Sequence, residues 1–333
     1  MASEPSAAQA LAGPVPESAR PVSEPAGLVS ESARAAPAAP LRGLIGWYSG
    51  YRQQGVPPAR HRGLPSPYLT LIITLDDPLT VARHPDPADR PGDYRTLIGG
   101  LHTTPALISH HGRQSGVQVQ LSPLGARALL GLPAGELAGR DLTADDVLGG
   151  AAAELHERMR AAADWPARFA ILDQVLLARA DLDQQVSPDI AEAWRLLVRS
   201  GGQVRAAELA GHVGWSPRYL QQRLRTETGL TPKAAARVTR FDRARRILQR
   251  QAASGTASVS GSAAAAGGAA PTSASGGAEV TLADVAAGCG YYDQAHLARE
   301  FRALAGCPPA AWLADEFRNV QSSAGDLDGD WLT

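Results

Sequence analysis

One block of sequence occurs twice in the C-terminal third of the chain, and this duplication restricts the fold more than any other feature. The first copy begins at Glu208 and reads ELAGHVGWSPRYLQQRLRTETGLTP, and the second begins at Asp284 and reads DVAAGCGYYDQAHLAREFRALAGCPP. Each copy predicts a short helix, a glycine followed by an aromatic residue, an amphipathic second helix and a Gly-x-x-Pro ending. The copies lie 76 residues apart before the second helix and 77 within it, so one contains a one-residue insertion. The pattern predicts two helix-turn-helix units, whose second helices enter the major groove.

The second helix of the first copy has one apolar and one polar face. Ser216 is a good N-cap and Pro217 a good first helical residue, so the helix has a defined start. Leu220 and Leu224 lie four residues apart and are predicted to face the core. The outer faces carry Arg218, Gln221, Gln222 and Arg225. Arginine can bridge O6 and N7 of guanine and glutamine can bridge N6 and N7 of adenine, so this face suits base readout, although a solvated polar face has the same pattern.

The second helix of the second copy carries a different set of polar residues. We predict that Leu297 and Phe301 face the core and that three side chains face outward: Gln294, His296 and Arg299. Asp293 and Glu300 would repel phosphates if they pointed at the DNA backbone. Either this unit binds DNA more weakly, which we favour, or these carboxylates accept a hydrogen bond from cytosine N4 or cap the helix.

Charge is distributed unevenly between the two copies. The whole chain has a formal net charge of −1. Residues 203–250, however, contain 11 basic and three acidic residues, whereas residues 280–320 contain three basic and five acidic residues. We therefore expect the first unit and the long helix predicted from Thr231 to Arg250 to provide the phosphate contacts, with Arg240 and Arg243 on that helix and Arg225 on the outer face of the preceding one.

The first 200 residues predict an α+β arrangement behind a disordered tail. Residues 1–40 consist mainly of Ala, Pro, Ser and Glu without a period, which predicts disorder. Order is expected from about Leu41. Strands are predicted at 68–75, 80–83, 96–101, 106–110 and 116–121, the last half-exposed because apolar and polar residues alternate in it. Helices are predicted at 122–130, 151–162, 166–179 and 188–200, so residues 41–200 form a β-rich and then helical first domain.

The DNA-binding region is predicted to span residues 201–320. It is interrupted at 252–278 by a segment built only from Ala, Gly, Ser, Thr, Val and Pro, which is typical of a flexible insertion. Residues 321–333 form an acidic tail that we expect to be loose. We find no apolar run of membrane-span length and no signal-peptide pattern. We therefore expect a cytoplasmic, nucleoid-associated protein without a membrane partner.

The stretches GWSPRYLQQRLRTETGLTP and GYYDQAHLAREFRALAGCPP, together with the basic helix between them, resemble the AraC family of bacterial transcription regulators over about residues 200–318. The resemblance implies an all-α domain of two helix-turn-helix subdomains joined by a linker helix, which read successive major grooves of a double-stranded operator. It places the family's base-contacting positions on Arg218, Gln221, Gln222, Gln294, His296 and Arg299. Ala295 and Glu300 depart from the family's polar or basic pattern, and the junction at 252–278 is longer than is usual in the family.

Residues 41–200 are similar to sensor domains of a bacterial branch of that family, on stretches such as RHRGLPSPYLTLIITL and QLSPLGARALLGLP. This similarity implies a cupin-like β portion that senses a small-molecule effector or forms a homodimer. RNA polymerase is a further expected partner if the protein is an activator. The alternative is an architectural DNA-binding protein without an effector.

A cupin-type metal enzyme fused to a DNA-binding domain is the least favoured interpretation. It would depend on the histidines of the first domain: His61, His84, His102, His110 and His111. His110 and His111 are adjacent, so on a strand they point to opposite faces and cannot chelate one metal ion together. We therefore predict no catalytic residues, no metal site and no cofactor.

Overall fold

The computed structural model describes residues 28–253 and 280–320, in which a β-rich domain precedes a helical one. Six antiparallel strands form a large sheet in the order β1-β2-β9-β4-β7-β10, and four form a small sheet in the order β3-β8-β5-β6. The strands are β1 Val29–Ala35, β2 Ile45–Gln54, β3 Ala59–Gly63, β4 Leu69–Thr74, β5 Leu79–Arg83, β6 Gly92–Tyr94, β7 Thr96–Gly99, β8 Ala106–His110, β9 Arg113–Leu121 and β10 Asp141–Thr143. The predicted α+β class with a β-rich N-terminal domain is confirmed.

The two faces of the large sheet have different surroundings. Val117 and Val119 on β9 are completely buried in the main apolar core. Gln118 and Gln120 point to the opposite face, towards the small sheet. The prediction that β9 is half-exposed is wrong for Gln120, which is only 8% exposed. Alternation along a strand shows that its faces differ, but a second sheet can cover a polar face as well as solvent can.

Order begins earlier than the composition of the N-terminal segment indicates. The prediction of disorder up to residue 40 is wrong for residues 28–40. β1 pairs with β2 along its whole length, from Val29 opposite Gln54 to Ala35 opposite Tyr48. After it, the Ala38 amide donates to the Asp173 carboxylate at 2.9 Å. Backbone amides and carbonyls can add a strand to the edge of a sheet whatever side chains the strand carries. Amino-acid composition therefore does not reveal such a strand. The prediction for residues 1–27 lies outside the described residues.

Four helices come after β9 in the chain and pack on the apolar side of the large sheet or on one another: α1 Ala126–Leu130, α2 Ala144–Leu148, α3 Gly150–Ala161 and α4 Trp165–Arg179. α4 begins at Trp165, one residue before the predicted start, and the Asp164 carboxylate caps it by accepting from the Ala167 amide at 2.8 Å. Its inner face packs on β2, where Phe169 stacks on Tyr48 with ring centroids 5.8 Å apart. The Tyr48 hydroxyl donates to Asp173 at 2.8 Å, so a buried polar group is satisfied across this layer.

The C-terminal domain consists of seven helices within the described ranges: α5 Pro188–Arg199, α6 Ala206–His212, α7 Pro217–Thr228, α8 Pro232–Ala253, α9 Leu282–Gly288, α10 Gln294–Ala305 and α11 Pro309–Val320. α5, which the sequence placed in the first domain, packs on α6, α7 and α8. Gly214 and Gly290 have φ of 71° and 75° in the two equivalent turns, where a side chain would be strained. α6–α7 and α9–α10 therefore form the two predicted helix-turn-helix units.

The helix α8 connects the two units through its buried face. Phe241 on α8 meets Phe301 on α10 with ring centroids 4.8 Å apart, and Trp312 on α11 lies 5.4 Å from the Phe301 ring. α8 continues three residues beyond the predicted end at Arg250. Most of the insertion predicted at 252–278, and the acidic tail at 321–333, lie outside the described residues. No helix within the described ranges has both the length and the apolar character that crossing a bilayer requires.

Candidate nucleic-acid interface and interdomain cavity

The first recognition helix, α7, presents its predicted base-reading side chains to the surface. The Ser216 hydroxyl accepts from the Tyr219 amide at 3.3 Å, so Ser216 caps the helix as its sequence indicates. Leu220 and Leu224 are completely buried, which fixes the rotation of the helix about its axis. All four polar side chains predicted on its outer faces are exposed: Arg218, Gln221, Gln222 and Arg225.

The second recognition helix, α10, exposes fewer of its predicted residues. Gln294 and Arg299 are exposed. His296 is half-buried, with its ring edge-on to Tyr291 and its Nδ1 3.3 Å from the Tyr292 amide, from which it accepts. The His296 ring is therefore partly used within the turn before the helix.

Asp293 and Glu300, the two carboxylates of the second unit that would repel phosphates, are bonded within the protein. The Asp293 side chain accepts from the His296 amide at 2.6 Å, which confirms that Asp293 caps α10. Glu300 accepts from Arg237 Nε of α8 at 2.7 Å, an ion pair that the sequence did not predict. Both negative charges are thereby partly compensated, which removes part of the reason for expecting weaker binding by this unit.

The one-residue insertion between the two copies can be placed on Tyr292. Trp215 and Tyr291, 76 residues apart, make the same turn hydrogen bond, to the carbonyls of Ala210 and Ala286 at 2.9 Å. The N-caps Ser216 and Asp293 are 77 residues apart. The additional residue is therefore Tyr292, and its side chain is 93% exposed. Sequence comparison shows that an insertion exists, but not that it places an exposed phenol beside the second recognition helix.

Several arginines of the positive segment are bound within the protein. Arg245 and Arg246 both donate to Asp242, at 2.6 and 2.7 Å, and Arg237 pairs with Glu300. Arg240 Nη1 donates to the Gly202 carbonyl at 2.9 Å, and its guanidinium lies 5.9 Å from the Tyr291 ring centroid. Arg240 is thus half-buried and bonded within the protein through Nη1, and its phosphate contact stays a prediction.

Arg243 and Arg225 keep their predicted exposure. Both side chains are exposed, on α8 and α7 respectively. Neither takes part in a hydrogen bond or ion pair found among the described residues, so their guanidinium groups can reach phosphate oxygens without breaking a contact. These two remain the candidates for phosphate binding.

A turn of the first domain lies directly against α7. The 3₁₀ turn Ala134–Leu137 packs on the C-terminal part of this helix. Pro133, Gly135 and Glu136 form one wall of a cleft of about 570 Å³. The opposite wall consists of the α7 side chains Arg218, Gln221, Gln222, Arg225 and Thr226. The predicted base-reading residues therefore face a segment of the first domain.

An ion pair fastens the first domain to the same helix. Arg127 Nε and Nη2 donate to the two carboxylate oxygens of Glu227, at 2.8 and 3.1 Å. Glu227 is only 3% exposed, and Arg223 is its second cationic neighbour at 3.9 Å. Bidentate pairs of this kind are among the stronger polar contacts in proteins.

A cavity of about 440 Å³ lies between the two sheets and opens towards the C-terminal domain. The covered polar face of the large sheet lines much of it: Ser49, Gln53, Gln114, Gln118 and Gln120. An apolar cluster lines another part: Ile72, Leu79, Val81, Leu97 and Ile108. A volume of this size, with mixed polar and apolar walls, suits a small organic molecule.

The rim of the cavity joins both domains and is rich in arginine. Arg246 of α8 lies over the Trp47 ring of β2 at 4.8 Å, and Arg34 of β1 lies 5.8 Å from the same ring centroid. Partial desolvation, followed by the positive charges of Arg246 and Arg245, lowers the pKa of Arg34. Burial raises the pKa of Glu316, which lies on the same rim. The rim therefore favours an anionic group.

The sequence alone did not identify this cavity. Arg34 lies in the segment assigned to disorder, and Arg245 and Arg246 were counted as part of a DNA-binding field. The one available signal was the alternation of glutamine with valine in β9. A strand that alternates amides with apolar residues is typical of a sheet whose polar face lines a cavity as well as of one that faces solvent.

The five histidines of the first domain do not form one cluster. His84 Nδ1 lies 2.7 Å from Asp141 Oδ2, and its Nε2 lies 3.2 Å from the Tyr94 hydroxyl. His61 and His110 have ring centroids 6.2 Å apart, and burial followed by the charge of His110 lowers the pKa of His61 to about 4. Among the residues that the structure describes, no three His, Cys, Asp or Glu side chains are arranged to hold a metal ion.

Comparisons with known proteins concern both domains. A family model described as a domain of unknown function, DUF6597, matches residues 33–143. The chain is similar in structure to ToxT from Vibrio cholerae, at 10% identity and a TM-score of 0.44, covering 86% of this chain and 98% of that one. A second ToxT structure, with an unsaturated fatty acid bound, is 8% identical at a TM-score of 0.42, covering 86% of this chain and 94% of that one.

The AraC-like transcriptional activator CuxR is 12% identical at a TM-score of 0.28, and the match covers 66% of this chain and 87% of that one. Comparison with curated proteins finds no match. The chain is thus similar in sequence to a domain of unknown function over residues 33–143 and, at low identity, similar in structure to ToxT and CuxR.

Proposed function

We propose that this protein is a transcription regulator of the AraC type that reads double-stranded DNA through α7 and α10. The observation that carries the proposal is the pair of helix-turn-helix units packed on the common helix α8, with recognition helices that are capped at equivalent residues. Two such units on one support suit two successive segments of the major groove. The resemblance of residues 200–318 to the AraC family supports the same function.

The exposed side chains determine the roles that we assign. In the first unit, Arg218, Gln221 and Gln222 read base edges, and Arg225 contacts phosphate. In the second unit, Gln294 and Arg299 read bases, and His296 contributes through the ring nitrogen that is not bonded to Tyr292. Arg243 on α8 supplies a further phosphate contact.

The cavity between the sheets is the proposed effector site. Its glutamine amides offer hydrogen bonds, its apolar wall offers a dry surface, and the arginines at its rim offer charge. We therefore propose a small organic effector that carries an anionic group and several hydrogen-bonding groups. The architectural alternative does not explain why the first domain contains a cavity whose rim is shared with α8 and α11.

The remaining partners are proposals of the same kind. A homodimer would form through the first domain, and RNA polymerase would be contacted if the protein activates transcription. We expect the protein to act in the cytoplasm, in association with the nucleoid.

Selection of DNA fragments that bind the full chain tests the function directly. We expect the wild type to enrich a motif with two segments about one helical turn apart. The double variant Gln221→Ala/Gln222→Ala should lose preference within one segment, with a cost of about 1–3 kcal/mol per base pair affected. The matched control Gln184→Ala/Gln185→Ala removes two adjacent exposed glutamines from the 181–187 loop and should keep the motif.

Two results would contradict the proposal. One is the failure of the wild type to enrich any motif. The other is an unchanged motif in the variant at positions 221 and 222, which would leave α7 without a role in base readout.

A further inference from the structure

We infer that the 3₁₀ turn Ala134–Leu137 is an autoinhibitory contact that keeps α7 out of the DNA major groove until the first domain moves. The inference rests on the proposed function, because it assumes that α7 reads DNA. It adds that the described arrangement of the two domains is the closed state of the regulator.

The first argument is the position of the turn. The residues that pack next to it, Arg225 and Thr226, lie at the C-terminal end of the polar stripe of α7, and the cleft between turn and helix extends as far as Arg218 in the first turn of the helix. The segment of the first domain thus contacts the C-terminal end of the base-reading stripe and faces the rest of the stripe across the cleft.

The second argument is the closeness of the contact. A Cβ added to Gly135 would overlap the main-chain carbonyl of Thr226, and a Cβ added to Gly229 would overlap the side chain of Ala138. Only glycine at both positions permits this approach of one backbone to another. At the equivalent C-cap of α10, a Cβ added to Gly306 would meet Pro105 Cγ at an ordinary 3.6 Å. The first domain is therefore fitted closely to α7 and only loosely to α10.

The third argument is the ion pair beside the turn. Arg127 belongs to α1 of the first domain and Glu227 to the last turn of α7, so this pair holds the two parts together from residues 100 positions apart. The Glu227 carboxylate is buried, and a buried carboxylate without a cation is unfavourable, so opening the contact must replace Arg127 by water or by Arg223.

The dimensions of the major groove make the turn and DNA compete for the same face of α7. An α-helix with its side chains is about 10–12 Å across, and the major groove is about 12 Å wide. A groove occupied by α7 therefore has little space for a second backbone segment on the base-reading face of the helix, whereas α5, α6 and α8 pack on its other faces. Glu136, which lines the cleft, would in addition bring a negative charge close to the phosphates.

A purely structural interface is the competing explanation, and it predicts the opposite change in affinity. Variants that open a structural interface destabilise the DNA-binding domain and weaken DNA binding. Variants that open an autoinhibitory contact strengthen DNA binding, because the apparent Kd contains the fraction of molecules that are competent to bind.

Two variants of the full chain open the contact from the first domain and leave α7 itself unchanged. Gly135→Ala inserts a methyl group against the Thr226 carbonyl, and Arg127→Gln removes the cation from Glu227. Their controls are Gly150→Ala, where a Cβ meets no atom within 4 Å, and Arg158→Gln, which breaks an exposed ion pair with Glu154 in α3. Arg127→Gln serves as the second test if Gly135→Ala does not fold.

The measurement is the Kd for the duplex selected with the wild type, together with hydrogen exchange of α7 without DNA. We expect both opening variants to lower the Kd roughly fivefold or more and to exchange the α7 amides faster, whereas both controls match the wild type. A Kd equal to or higher than that of the wild type in both opening variants overturns the inference and leaves the proposed function intact. If neither the wild type nor the opened variants bind DNA, the proposed function fails, and the inference fails with it.

Discussion

In the first helix-turn-helix unit α7 exposes Arg218, Gln221 and Gln222, whereas the equivalent positions of α10 carry Ala295, Ala298 and Arg299. The buried positions of the two helices, in contrast, are alike, because both copies keep large apolar residues there. Packing on α8 constrains those inner positions in both units alike. The outer positions are free of that constraint, so two copies of one motif can present different surfaces to DNA.

The same contrast applies to charge. Position 223 of the first unit is an arginine that approaches Glu227, and its equivalent in the second unit is Glu300, which pairs with Arg237. The sign of the side chain is reversed, yet each lies beside a partner of opposite charge within the protein, Glu300 at 2.7 Å and Arg223 at 3.9 Å. The excess of positive charge that the sequence shows in the first unit is therefore larger than the excess that is free to meet DNA.

The largest expected effect concerns the packing of the second unit on α8, the helix that both units share. Phe301→Ala should lower the free energy of unfolding by about 3–5 kcal/mol, because its ring packs against Phe241 of α8 and Trp312 of α11. Urea unfolding followed by circular dichroism measures this loss. Tyr292→Ala, which truncates an exposed aromatic residue, is the control and should change stability by less than about 0.5 kcal/mol. Two separate unfolding transitions in the wild type would show that the units do not depend on α8 in common.

The next effect concerns the outer polar residues of α7 and α10, which differ between the two units. Arg218→Ala should cost about 1–3 kcal/mol on the selected duplex and reduce discrimination at one base pair. Arg299→Ala should have the same effect in the other half of the site. Among positions 295, 298 and 299, which are equivalent to 218, 221 and 222, only Arg299 carries a long polar side chain. Competition binding against random duplex measures both, and Arg179→Ala, at an exposed position of α4, is the control. An equal loss on selected and random DNA would assign Arg218 to phosphate contact.

The smallest expected effect concerns the connection between the units. Because the Phe241–Phe301 and Arg237–Glu300 contacts hold the second unit on α8, the connecting segment is not needed to position it. Replacing residues 254–278 by about five Gly and Ser residues should leave DNA affinity unchanged and stabilise the fold by roughly 1.5 kcal/mol, through a lower entropy of loop closure. Thermal melting and binding to the selected duplex measure these quantities.

The alternative is that the segment is a hinge. Operators whose half-sites are moved apart by one to five base pairs decide between the two, because a hinge lets the wild type tolerate altered spacing that the shortened variant does not. Loss of that tolerance on shortening would make the connection a functional part of the reader.

Local chemistry made several features predictable from sequence. Ser216 and Pro217 start α7, Leu220 and Leu224 set its rotation, and β8 occupies the predicted residues 106–110. Each depends on interactions within a few residues or on a simple period. The order of β1 was not predictable in this way, because it depends on backbone pairing with β2 and not on the composition of its own residues.

The sequence by itself determined the two recognition helices, their caps and their buried faces, since hydrogen bonds and side-chain periods within a single helix decide these. Only the tertiary structure decided which polar groups remain available. It directs Arg240 to Gly202 and Glu300 to Arg237, covers Gln120 with a second sheet, and places Gly135 against Thr226. The physical reason is that burial and ion pairing depend on partners tens to hundreds of residues away, and the local sequence does not specify them.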